Sequence, residues 1–135
     1  MSPTARDAYL QQARIARLVT LRSDGSPTIH PVWFKWDGAT AAVFTSRGSE
    51  KVRRLRDDAR VALSVANETS EPEWWVTIEG TATIEEDGGF ALAEELLPRY
   101  YSAEKAAETL PRWRAAAADF VLLRISPTRI TSSSA

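Results

Sequence analysis

The chain has 135 residues, 44% of them apolar and 26% charged, which suits one ordinary globular domain and is too short for two comfortable ones. It has no cysteine, which excludes disulfides, thiolate nucleophiles and Cys-ligated zinc or iron–sulfur centres. A net charge of −1 compels neither a nucleic-acid nor a membrane partner; with no bilayer-length apolar run and a polar N-terminus that lacks an apolar signal core, the sequence reads as cytoplasmic.

Ser2-Pro3 reads as an N-cap followed by proline at the first helical position, and a helix is expected through about Ala16. Leu18 to Arg22 is a strand, Ser23 to Pro27 a turn, and Thr28 to Trp36 a second strand, so the pair is expected as a hairpin. Asp37-Gly38 turns the chain into a third strand, Ala41 to Thr45. Ser49 then reads as the N-cap of a short helix, Glu50 to about Asp58, with Val52 and Leu55 facing the core. Val61 to Val65 alternates as a strand. Trp74 to Glu85 is long and β-rich, with Gly80 marking a bulge or a close backbone approach. Two helices follow, Phe90 to Tyr101 and Glu104 to Ala118, each containing a proline (Pro98, Pro111). The last strand is expected over Phe120 to Ile125, and the Ser-rich end, 131–135, need not be ordered. Six strands with short spacings and helices at their margins imply a single domain, mainly β with peripheral helices, built on an antiparallel barrel.

The chemistry is narrowed by what is missing. His30 is the only histidine, so a His-rich zinc site is not available, and no nucleophile-elbow motif accompanies it. It is either a hydrogen-bonded strand residue or a proton donor beside a cofactor. Neither a GxGxxG nor a Walker A loop is present, and Glu85-Glu86 and Glu94-Glu95 are sequence neighbours whose side chains point apart. A borrowed cofactor would have to carry any reaction. From Arg47 to Arg60 there are five Arg and one Lys against three acids. Within that block Thr45-Ser-Arg-Gly-Ser-Glu-Lys-Val-Arg53 runs from strand through turn to helix, where free N–H groups and basic side chains suit a phosphate. A solvated basic helix face neutralised by Asp57 and Asp58 is the competing reading, and the pattern alone leaves both open.

Three stretches, taken in order, carry a resemblance: Ala16 to Trp36 (ARLVTLRSDGSPTIHPVWFKW), Phe44 to Val61 (FTSRGSEKVRRLRDDARV), and Ile78 to Ala82 with the closing strand Val121 to Ile125 before Pro127. Together they resemble the pyridoxamine 5′-phosphate oxidase-like superfamily, and within it the flavin- and deazaflavin-dependent oxidoreductases that often use coenzyme F420. The resemblance implies a split β-barrel homodimer with cofactor sites at the subunit interface. It implies that Pro31, Val32 and Trp33 lie along the cofactor ring, partly through backbone groups. Thr45, Ser46, Arg47 and Lys51 would hold the phosphate with Arg53 close by, and Trp74 and Trp75 would fall where a partner subunit contributes a wall. One departure stands out: Arg54 occupies a position where relatives often carry asparagine.

The resulting expectation is an F420-dependent oxidoreductase that moves a hydride between a deazaflavin and a small organic substrate, with His30 or water as proton source and no metal. FMN, which shares a tricyclic ring and a phosphate, is the alternative cofactor. A non-catalytic flavin or haem binder, the haem ligated through His30, is a further alternative. A barrel binding single-stranded nucleic acid is disfavoured by the charge balance.

Overall fold

The computed structural model describes residues 1–133. Seven strands are joined antiparallel into one sheet: β1 (Ala16–Leu21), β2 (Pro27–Val32), β3 (Lys35–Trp36), β4 (Ala41–Ser46), β5 (Arg60–Ala66), β6 (Trp75–Glu85) and β7 (Phe120–Ser132), in the order β2-β1-β5-β6-β7-β4-β3. Four helices accompany them: α1 (Pro3–Leu10), α2 (Glu50–Asp57), α3 (Gly89–Tyr100) and α4 (Ala103–Ala115), the last followed by a 3₁₀ turn at Ala117–Asp119.

The sheet has to curl. Its two outermost strands, β2 and β3, are consecutive in the chain and joined by Trp33 and Phe34 alone. Such a link spans at most about 11 Å, whereas the edges of a flat seven-stranded sheet would stand about 29 Å apart. The two-residue seam therefore draws the edges together, giving the mainly β split barrel that the sequence implied. Its interior is filled by Leu18, Leu63, Val65, Val76, Ile78, Val121, Leu123 and Ile125, none more than 1% exposed. A smaller cluster, Ala42, Leu92, Leu96 and Leu122, seats α3 against β4 and β7, and Trp33, Phe44 and Tyr100 pack onto it.

Local chemistry sets the boundaries. Ser2 caps α1, its Oγ accepting from Ala5 N at 3.1 Å. The hairpin turn closes with Gly25 at φ 86° and Asp24 Oδ1 accepting from Ser26 N at 2.9 Å. Ser49 caps α2 through Val52 N at 3.3 Å, and Val52 and Leu55 are buried beneath that helix.

The structure corrects four expectations. The first helix ends at Leu10 rather than about Ala16, because Ala16 pairs with both Val32 and Val65 as the start of β1. The stretch Thr28 to Trp36 is two strands, since the chain leaves one sheet edge at Val32 and enters the other at Lys35; this makes seven strands instead of six. The last strand runs past Ile125 to Ser132. Pro127 is accommodated at a bulge, where the register steps from Glu79↔Arg129 to Gly80↔Pro127 and leaves Thr128 as the extra residue. The expected tail therefore begins inside a strand at 131 and 132, while 134 and 135 lie outside the described residues. Gly80 serves both of its anticipated roles: it sits at the bulge, and a Cβ there would collide with the Ser126 carbonyl oxygen.

Candidate functional site

The segment after β4 is built as the sequence suggested, a strand passing through a tight turn into α2. Thr45 is buried and donates its hydroxyl to Ser49 Oγ at 3.2 Å, while Ser49 N bonds Ser46 O at 3.1 Å. Ser46 itself is exposed. The hydroxyls of Thr45 and Ser49 and the first turn of α2 thus face one another across a few ångströms, an arrangement that suits an anion.

The basic residues of this block separate into two groups. Arg47 forms an ion pair with Glu86 and donates to the carbonyl oxygens of Glu86 (3.3 Å) and Ala118 (3.1 Å). Arg53 forms an ion pair with Glu50 on the exposed side of α2. Arg56 reaches Glu86 at 3.5 Å, and Arg60 reaches Asp58 at 2.8 Å. Lys51 belongs to the other group. Its ammonium is half-buried, among the described residues it forms no ion pair, and burial first, then the charge of Arg54, pushes its pKa below the usual lysine value.

His30 lies close to this second group. On β2 the exposure alternates, with Thr28 and Val32 buried and Ile29 and Pro31 exposed; His30 falls in the inward row. Its pKa is lowered chiefly by burial, then by the positive charges of Lys51, Arg54 and Arg22, so the imidazole is neutral at pH 7. A cleft of about 850 Å³ opens between the β1–β2 turn and α2. Arg22, Arg53, Arg54 and Arg60 on its wall are matched by Asp24, Glu50, Asp57 and Asp58, so it is charge-balanced and is not itself an anion trap.

The ring-side residues gather at the seam. Pro31 is exposed and Val32 buried, which leaves mainly backbone groups of this pair for a ligand. Trp33 stacks on Tyr100 with centroids 4.7 Å apart and planes at 5°, and meets Tyr101, Phe44 and Trp113 at 4.8 to 5.9 Å. Tyr100 is fixed in turn, donating to Arg14 O at 2.8 Å and accepting from Phe34 N at 3.3 Å. Trp75 is exposed at the start of β6, opposite Ala66. Trp74 packs instead on Tyr9, ring to ring at 5.9 Å. The structure thus puts Thr45 and Lys51 on one strand–turn–helix corner with His30 in the field of Lys51, groups Val32 and Trp33 at the seam, pairs Arg47 with Glu86 and Arg53 with Glu50, and leaves Trp75 at the start of β6. Sequence reading missed Arg54 and the aromatic partners of Trp33. The signal for Arg54 was its position three residues after Lys51, which puts both on one helix face.

A curled antiparallel barrel with a polar strand–turn–helix corner and an aromatic seam defines the split-barrel class of flavin-handling proteins. Residues 2–134 match the family described as pyridoxamine 5′-phosphate oxidase, and the chain belongs to that family of oxidoreductases. Over 82 residues it is 35% identical to the F420H(2)-dependent biliverdin reductase of Mycobacterium tuberculosis (strain CDC 1551 / Oshkosh), an alignment covering 59% of this chain and 57% of that protein. The chain thus matches less than two-thirds of that relative's length. A solved conserved hypothetical protein, Rv2991 of Mycobacterium tuberculosis, superimposes with a TM-score of 0.77 at 26% identity, covering 98% of this chain and 84% of the other. An F420 reductase structure gives 0.73 at 24% identity over 93% and 94%, a likeness of fold. Among the described residues no helix is long and apolar enough to cross a membrane, and no group of His, Asp and Glu is placed to hold a metal ion.

Proposed function

We propose that this protein is an F420-dependent oxidoreductase, working as a homodimer, that transfers a hydride between a deazaflavin bound at the subunit interface and a small organic substrate. The observation that carries this reading is Lys51: a half-buried ammonium with no ion pair among the described residues, two residues after the Ser49 hydroxyl that Thr45 bonds, in a chain of this family. Burying part of a cation without a counter-charge is costly, and a cofactor phosphate would supply that charge. Thr45, Ser46 and Lys51 would hold the phosphate. Arg47 and Arg53 would join them only by releasing Glu86 and Glu50. Backbone groups of Pro31 and Val32 and the ring of Trp33 would orient the cofactor ring, and Trp75 of a second copy would cover it. When bound, a deazaflavin or flavin ring supplies the two-electron chemistry, which a chain with one histidine and no cysteine does not offer from its own side chains. The relative named for F420H(2)-dependent reduction of biliverdin supports F420 as the cofactor and a conjugated acceptor as the substrate class.

FMN is a second reading, and a specific observation favours it. Arg47, Arg53, Arg56 and Arg60 are each engaged by a carboxylate, so the basic block offers little spare charge for the long acidic tail of F420.

The test is a fluorescence titration of the apoprotein with F420 and, separately, FMN, repeated with Lys51→Ala. Tight F420 binding and weak FMN binding are expected, with Lys51→Ala weakening F420 roughly 10- to 100-fold, the equivalent of one charge-assisted contact. Preferential FMN binding would move the assignment to the second reading, and failure of both cofactors to bind would remove the phosphate anchor altogether.

A further inference from the structure

Two polar side-chain atoms near Lys51 are buried without any hydrogen-bond partner: His30 Nε2 and Arg54 Nη1. Buried polar groups are normally satisfied, and a lone orphan is already unusual. Here both orphans occur in the same region, on the inward row of β2 and the Lys51 face of α2. Arg54 is only loosely held from outside. Its Nη2 lies 3.8 Å from Glu50 Oε2, and Glu50 is already engaged by Arg53. Its side chain is 18% exposed, and Nη1 is the buried atom. Two cations and an imidazole are thus gathered with one shared carboxylate, Glu50, in reach of Arg54 at 3.8 Å, and among the described residues none is paired with Lys51 or His30. Like charges placed together away from water disfavour one another, and an anion is the missing member of the set.

We propose that Arg54 Nη1 and His30 Nε2 join Lys51 Nζ in a pocket between β2 and α2 that takes the cofactor phosphate, with Arg54 supplying a second positive charge. The inference rests on the cofactor reading above and extends it to residues outside the expected phosphate set. Two cations match two charges. The terminal phosphate of FMN can present both charges, and the phosphodiester of F420 presents one. A guanidinium is suited to this role because its planar fork can meet two oxygens at once. Arg54 also lines the wall of the cleft between the β1–β2 turn and α2, which gives an anion a route to the pocket from solvent.

The test separates the phosphate from the ring. The full chain, freed of cofactor, is titrated with FMN against riboflavin and with F420 against the deazaflavin that lacks its phosphate tail, in wild type, Arg54→Gln, His30→Gln and Lys51→Ala. Arg56→Gln, an exposed arginine on the same helix, serves as control. The preference for the phosphorylated ring is expected to fall roughly 10- to 100-fold in Arg54→Gln, and by a smaller factor in His30→Gln. Affinity for the bare ring should stay constant, and Arg56→Gln should behave as wild type. His30→Gln carries the same readout if Arg54→Gln does not fold. A preference unchanged in Arg54→Gln but lost in Lys51→Ala overturns this inference and leaves the cofactor reading standing. If wild type binds neither ring, the cofactor reading fails, and inorganic phosphate then decides the pocket by itself. A rise in melting temperature with phosphate that disappears in Arg54→Gln supports the pocket, and no rise overturns it.

Discussion

His30 is neutral at pH 7 because burial and the charges of Lys51, Arg54 and Arg22 all disfavour its protonated form. A phosphate held among these groups reverses the sign of the local field, so binding should draw a proton onto the imidazole. The phosphate-dependent part of FMN affinity is therefore expected to strengthen as the pH is lowered from 7.5 to 6. His30→Gln should lose that component and retain only the titration of the phosphate itself; identical pH profiles would mean His30 takes up no proton. Arg14 shows the opposite case. It grips Glu71 through two bonds of 2.8 and 2.7 Å, and that grip, aided by Glu68 N, holds the Glu71 carboxyl down at about 2. Because the folded value lies below the unfolded one, the stabilisation is complete above the ordinary glutamate range and is lost as pH falls toward 2. Thermal melts of wild type and Glu71→Gln should differ at pH 7 and converge near pH 2. A constant gap would show that the charge is not what matters. Arg54 teaches how a site residue can escape sequence reading. It looked like a departure from the family pattern, and only the buried, unbonded Nη1 gives it a role.

Among the elements, β6 and β7 form the longest pairing, and the bulge at Gly80 is where it bends. Gly80→Ala would drive a methyl group into the Ser126 carbonyl; a loss of about 1–3 kcal/mol is expected from overpacking, measured by urea denaturation. An unchanged midpoint would mean the strands part there at little cost. This bulge was legible in advance because a glycine inside a strand pattern has few other uses. The continuation of β7 past Pro127 was not, since proline ordinarily ends a central strand and the bulge that admits it depends on a partner 47 residues upstream in sequence, Gly80. The division of Thr28 to Trp36 was hidden for a related reason. Its alternation is unbroken, and what splits it is the barrel's need to have Val32 and Lys35 on opposite edges of the sheet. In the site, the strand–turn–helix frame was legible from hydroxyls, glycine and N-cap. Which arginines stay available was not, because Glu86, which takes Arg47 and Arg56, enters from the far end of β6.

At the scale of the whole molecule, the outer face of the β2–β1–β5 part of the sheet carries Ile29 at 64% exposure, opposite the partly exposed Val19, which in turn faces Ala62. An apolar strip of this kind on a proposed homodimer suits an interface between copies. Light scattering should give twice the chain mass, and Ile29→Arg should shift it toward the single-chain value; a dimer that persists would assign the interface to another face. The seam at Trp33 and Phe34 also governs when the molecule is finished. β4 has only β3 and β7 as sheet neighbours, so the β3–β4 unit cannot join the sheet until β7 has been made. Such non-local pairing is slow to form. The ring side of the proposed site accordingly forms only after β7 has paired with β4, so cofactor binding would follow folding rather than guide its early steps.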